Sequence, residues 1–281
     1  MKRKSFVVAM MLCMFAIFMS ACGGPTTNIT VSTSSNVYNF YAQQVESVCD
    51  EMLSAVASAN LTQEQTNRVN VITNNVDILS REEYMVLAGI ECYNMISDNG
   101  KYSYVQTPYG RLIVEFSNGV YTCRYLDDNG DTLYTYALTI NRNSQTGRYT
   151  IQYEKTIPNQ TKNCVATVNF NSETSNLVLN ISSILENGQN IQIEKEYYAL
   201  SGGRSAIQID ISLNSQDFYG ARYFKEMTGY SMKLASKQSF SGRISLSNLT
   251  SSSFCASDST DICGYIINNN SLQSFGQLSE W

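Results

Sequence analysis

The hydrophobic period of this 281-residue chain changes once, near Gly100, and that change limits the folds open to it. Before it, apolar residues recur at helical spacing; after it they alternate with a period of about 2. Ile207, Ile209, Ile211 and Leu213 stand against Gln208, Asp210, Ser212 and Asn214. Tyr134, Tyr136, Leu138 and Ile140 alternate in the same way, as do Tyr149, Ile151 and Tyr153. Successive side chains on a strand point to opposite sides, so this pattern describes antiparallel strands with one dry and one wet face. Asn118-Gly119, Asn129-Gly130, Asn187-Gly188 and Gly202-Gly203 fall between such segments as hairpin turns. No helix-length insertion separates them. The serine-rich stretch 236–259 reads as a surface loop before a last strand, Ile262 to Ile267.

Ahead of the switch, Val37, Phe40, Tyr41, Gln44, Val45, Val48, Cys49, Met52, Leu53 and Val56 fall almost entirely on one helix face, with Asn36 as N-cap. A second helix opens at Thr62, with Gln65 at capping-box spacing and a stripe of Val69, Ile72, Val76 and Leu79. A third begins at Ser80, with Glu83 in the same relation, and runs until Asp98-Asn99-Gly100 stops it. The expected fold class is therefore α+β, with N-terminal amphipathic helices packed on a large curled antiparallel β-meander. A meander of about ten strands must twist and curl into a half-barrel or barrel-like sheet. The outline resembles the helix-covered half-barrels that carry lipids or lipoprotein acyl groups in bacterial envelopes. That likeness is one of architecture, with no motif behind it.

The N-terminus carries a different message. Lys2, Arg3 and Lys4 precede an apolar run from Phe6 to Phe18, too short to span a bilayer comfortably as a permanent helix. Met19-Ser20-Ala21-Cys22 closes it, and this resembles the lipobox of bacterial lipoproteins, with Met19 where leucine is usual. The resemblance implies cleavage before Cys22, lipidation of Cys22 and a place in the bacterial cell envelope, on the outer membrane if the host has one. Gly23 after the cysteine, rather than aspartate, does not signal inner-membrane retention. Residues 1–21 are then a signal peptide and 22–36 a lipidated cysteine with a Gly/Ser/Thr/Asn tether about 20 Å in reach. Residues 37–98 form the helical segment and 99–281 the sheet, read together as one domain.

Acidic residues number 24 against 19 basic ones, of which Lys2, Arg3 and Lys4 leave with the signal. An acidic, sparsely charged chain is a poor nucleic-acid binder. Histidine is absent, which removes the commonest general base and the commonest metal ligand. Apart from Cys13 and Cys22, the cysteines are Cys49, Cys92, Cys123, Cys164, Cys255 and Cys263. Of their pairings only Cys255 with Cys263 closes a short local loop, while Cys123 and Cys164 fall on the apolar phase of strands.

No nucleophile elbow, phosphate loop or zinc-ligand spacing occurs, and no cofactor motif is present. Asp127-Asp128-Asn129-Gly130-Asp131 lacks the glycine position and downstream glutamate of a calcium loop and reads as a hairpin turn. Glu194 and Glu196 share a strand face, as a glycoside-hydrolase pair would, but Lys195 between them points to a solvated outer face. The many tyrosines suit strands, and Tyr198, Tyr219 and Tyr223 are the candidates for a binding surface. The sequence thus leads to an expectation of a non-catalytic, membrane-anchored lipoprotein that binds a protein, polymer or lipid. Carriage of an apolar ligand inside the half-barrel is the alternative, and carboxylate-based glycoside hydrolysis the third.

Overall fold

Asn36 starts the first helix as its N-cap, with its Oδ1 accepting the Asn39 amide at 2.9 Å. The computed structural model describes residues 36–95, 102–158, 160–215, 217–236, 255 and 263–276. The signal segment and Cys22 lie outside these. Helix α1 comprises Val37–Phe40, a π-helical stretch Tyr41–Val45 in which Glu46 N–H reaches back to Tyr41 O, and Glu46–Ser58. The Glu91 carboxylate accepts the Val37 and Tyr38 amides, so the orphan donors of this helix are met from another helix.

Helix α2 (Gln63–Val76) forms the expected capping box: Gln65 N–H donates to Thr62 Oγ1 and Thr62 N–H to Gln65 Oε1. Its stripe of Val69, Ile72 and Val76 is fully buried, as is Leu79 beyond it. Helix α3 (Ser80–Met95) departs from the sequence reading at its start. No second capping box forms, because Glu83 turns inward to a lysine of the sheet and the Ser80 hydroxyl bonds Tyr109 instead.

Among the described residues thirteen strands run in chain order, each antiparallel to the next. They are β1 (Tyr102–Thr107), β2 (Gly110–Ser117), β3 (Val120–Leu126), β4 (Thr132–Arg142), β5 (Tyr149–Ile157), β6 (Gln160–Asn171) and β7 (Asn176–Ile184). After these come β8 (Asn190–Ala199), β9 (Ser205–Leu213), β10 (Asp217–Lys225), β11 (Tyr230–Ser236), β12 (Cys263–Asn268) and β13 (Ser271–Gly276). The up-and-down meander is as expected, but it has more than ten strands. Some of its turns carry no glycine: Asn269 and Asn270 take φ of 45° and 72° between β12 and β13, and Asn214 and Ser215 take 51° and 58° between β9 and β10. Asparagine tolerates this left-handed region better than most residues, so the turns form without the Asn-Gly signature. The sheet is open: β1 and β13 are its edges and no ladder joins them, which removes the closed-barrel form of the expectation.

The core joins the helices to one face of the sheet. Leu138, Ile151, Ala166, Leu179, Ile193 and Ile209, from six successive strands, are buried in one cluster with Val45, Met52, Ile72 and Leu87 of the helices. Fully burying an isoleucine or leucine contributes about 1.5–3 kcal/mol, so this shared face dominates the fold's stability. Helix α3 packs on β1 to β4, and α2 on β9 to β11. At Gly89 a Cβ would stand 3.0 Å from Leu138 Cδ2 and 3.2 Å from Ile140 Cδ1, and the missing side chain is what lets α3 lie so close to β4.

Candidate functional site

The first turn of α3 places three charged residues in sequence, Arg81, Glu82 and Glu83, against the dry face of the sheet. Tyrosines answer all three. Tyr125 Oη of β3 donates to Arg81 O at 2.7 Å, and Arg81 hydrogen-bonds the Tyr136 hydroxyl of β4. Tyr153 of β5 donates to Glu82 Oε2, which also accepts Ser183 Oγ of β7 at 2.7 Å. Tyr41, the first residue of the π-helical stretch, donates to Glu83 Oε2. Turns of this kind inside α-helices are frequent at functional sites.

Each carboxylate also has a lysine from a dry-phase strand position. Lys155 Nζ of β5 lies 2.6 Å from Glu82 Oε1, and Lys195 Nζ of β8 lies 2.7 Å from Glu83 Oε2. Burial works against the Lys195 ammonium, but Glu83 beside it, together with Cys49 and Asp77, more than offsets this and holds its pKa above that of an ordinary lysine. Glu83 Oε1 has no hydrogen-bond partner among the described residues. Tyr41 is pushed well above the usual tyrosine range, first by burial and then by the Glu83 charge. On the α1 side, burial, reinforced by Asp50, raises Glu46 to about 7.

Beside this cluster a cleft of about 830 Å³ opens between the first turn of α3 and the ends of β4, β5 and β7. Glu82 and Lys155 are at its inner end, and Arg81 lies along it with its guanidinium carbon 3.9 Å from the Tyr134 ring centroid. Leu133, Ile78 and Tyr134, which are 51%, 40% and 38% exposed, line it, although large apolar side chains are elsewhere mostly in the core. Glu154 and Glu186 stand on its exposed rim. A concave site of this volume with apolar walls and a few fixed polar groups suits binding of a small molecule or a side chain. Glu82 is engaged through both oxygens, so it is poorly placed for proton transfer.

The residues singled out in the sequence do not converge on this cleft. Tyr198 packs on Ala206, Phe224 and Cys255 on the face opposite the helices. Tyr219 and Tyr223 pair with Ile211 and Ile207 on the dry face, and Tyr223 is buried and stacked on Tyr230, so the three tyrosines form no common surface. Glu194 accepts Asn180 Nδ2 at 3.0 Å, and Glu196 is buried in a cross-strand row with Gln208, Arg222 and Lys233, which corrects the reading of a solvated face. Lys195 points the other way, into the core. Cys255 is a buried free thiol directed at Ser231 O, 3.2 Å away, so the expected Cys255–Cys263 bridge is not formed; the side chain of Cys263 is outside the described set. Cys49, Cys92, Cys123 and Cys164 are likewise free and buried.

Asp127 Oδ1 accepts the amides of Asn129 and Asp131, closing the hairpin turn expected there. Among the described residues no group of three or more Cys, Asp or Glu side chains is arranged to hold a metal ion. Lys155 and Lys195 were the missed signal, as lone cations on the apolar phase of two alternating strands. No protein-family model matches the sequence, and neither a curated protein nor a solved structure shows significant similarity to it.

Proposed function

We propose that this chain is a membrane-anchored envelope lipoprotein, held by lipid on Cys22, that acts by binding and without catalysis, with its ligand in the cleft at the start of α3. The observation that carries the binding reading is the exposure of Leu133, Ile78 and Tyr134 around a concavity whose polar groups are already fixed by tyrosines and lysines. Exposed apolar side chains gathered around a concavity favour an occupant with apolar surface. The anchor reading is supported by the run Met19-Ser20-Ala21-Cys22 after an apolar segment. Among the described residues no helix is long and apolar enough to cross a membrane.

The sheet is read as a helix-covered half-barrel. Thirteen strands laid flat would span roughly 60 Å, wider than three helices of about 10 Å each can cover. Yet side chains of β3, β5, β7 and β8 all reach the first turn of α3. Curling satisfies both. The carrier alternative finds its support in the cleft rather than beneath α1, where Tyr41, Val45 and Met52 are packed solid.

The test is co-purification. Native protein extracted from its host with mild detergent should carry a non-covalently bound molecule, and Leu133→Asp should lose it while keeping the same thermal midpoint. Equal occupancy in both proteins would place the ligand elsewhere and overturn the cleft as the site.

A further inference from the structure

We infer that the cleft takes a singly charged anion with an apolar body, its acid group on Arg81 and its body along Leu133, Ile78 and Tyr134. This rests on the reading of the cleft as the binding site and names the class of ligand.

The charge assignment comes from how the ionic groups are already committed. Lys155 is used by Glu82 at 2.6 Å, and that pair leaves no open charge at the inner end of the cleft. Arg81 differs. Among the described residues no carboxylate lies within ion-pair distance of it, and its guanidinium carbon lies over the Tyr134 ring, 3.9 Å from the centroid, with a hydrogen bond to the Tyr136 hydroxyl. A guanidinium held over an aromatic face keeps N–H donors along its edge, the groups that grip a carboxylate, sulfonate or phosphodiester through two parallel hydrogen bonds. A cation pre-oriented in this way inside a cleft is an anion site awaiting its partner.

The other walls narrow the class. Glu154 and Glu186 on the rim repel negative charge in proportion to its size, which disfavours phosphate monoesters and polyphosphates against monoanions that Arg81 alone can balance. The exposed apolar trio has no use for a small inorganic ion, whereas an acyl, aryl or isoprenoid body would cover it. About 830 Å³ admits a body of that kind with its head group.

Three probes with one apolar body separate the terms: 2-naphthalenesulfonate, uncharged 2-methoxynaphthalene and 2-naphthyltrimethylammonium. Each is titrated calorimetrically into the full chain held in phosphatidylcholine nanodiscs, with empty discs as reference. The sulfonate is expected to bind at least about tenfold more tightly than either relative, and Arg81→Gln should weaken it about tenfold or more. Leu133→Glu should abolish binding of all three. This comparison of heads is made on the unaltered protein, so it stands even if a variant folds poorly. Neutral or cationic probes binding as well as the sulfonate, or an unchanged sulfonate affinity in Arg81→Gln, would overturn the anion assignment while Leu133→Glu still reports on the cleft. No binding of any probe at millimolar concentration, or binding indifferent to Leu133→Glu, would overturn the cleft reading together with the inference.

Discussion

Glu83 of α3 and Lys195 of β8, 112 residues apart in the chain, meet at 2.7 Å with about 1% of each side chain exposed. Removing one partner of such a pair strands a charge in the interior, which typically costs about 3–5 kcal/mol, a large fraction of a domain's margin of about 5–15 kcal/mol. Lys195→Met is therefore expected to lower the free energy of unfolding by about 3–5 kcal/mol in a urea titration. Glu83→Gln combined with Lys195→Met should recover at least half of that loss, because the stranded charge is gone. A single variant as stable as the parent would show that Glu83 is not charged in the fold.

Glu46 of α1, which feels the charges of this pair, should make stability depend on pH. Glu46 is raised from 4.5 to about 7 by burial and then by Asp50. Between those values the folded chain holds a proton that the unfolded chain has released, so stability falls as pH rises through the window and levels off above it. Fully transmitted, the shift would amount to about 3 kcal/mol, and the solvent-facing part of Glu46 reduces this to about 1–2 kcal/mol. Asp210, raised to about 6 by burial against the pull of Arg222, acts in the same direction. Glu46→Gln should therefore gain about 1–2 kcal/mol on the parent between pH 5 and pH 8. A difference that stays constant across that range would contradict the assignment.

Much of the fold was legible in the sequence because its signals are local. Asn36 and the Thr62/Gln65 box mark helix starts through bonds made within one turn, and the Asn-Gly hairpins declare themselves in two residues. The charge cluster was not legible, since Glu82 finds Lys155 73 residues away and Ser183 101 away, and no local pattern announces such a meeting. Glu83 shows the competition directly: its spacing from Ser80 suits a capping box, but the buried lysine claims it. The cleft is likewise tertiary, because Ile78 comes from the turn before α3 and Leu133 from β4. Parity along the strands does place Tyr198 and Tyr223 on opposite faces, as the ladders β8 to β9 and β9 to β10 require.

The thiols offer a check on burial. Cys49, Cys92 and Cys255 are each raised to about 12, with burial as the largest cause, and Cys123 higher still. A buried thiol with so little thiolate is inert. Maleimide followed by peptide mapping should leave these four cysteines and Cys164 unlabelled in the native protein and label all of them in urea. Rapid native labelling at Cys49, Cys92, Cys123 or Cys164 would mean that the helix layer opens on the timescale of the reaction, and at Cys255 that the packing on the opposite face of the sheet does.

The most direct test of the central claim is the intact mass of the protein recovered from its host membrane under native conditions. The account predicts a chain beginning at Cys22, heavier than its amino acids by a covalent lipid, together with a weakly held companion mass that Leu133→Asp lacks. A chain with an unmodified Cys22 amine and thiol, and a companion mass that is the same in parent and variant, would contradict both the anchor and the cleft.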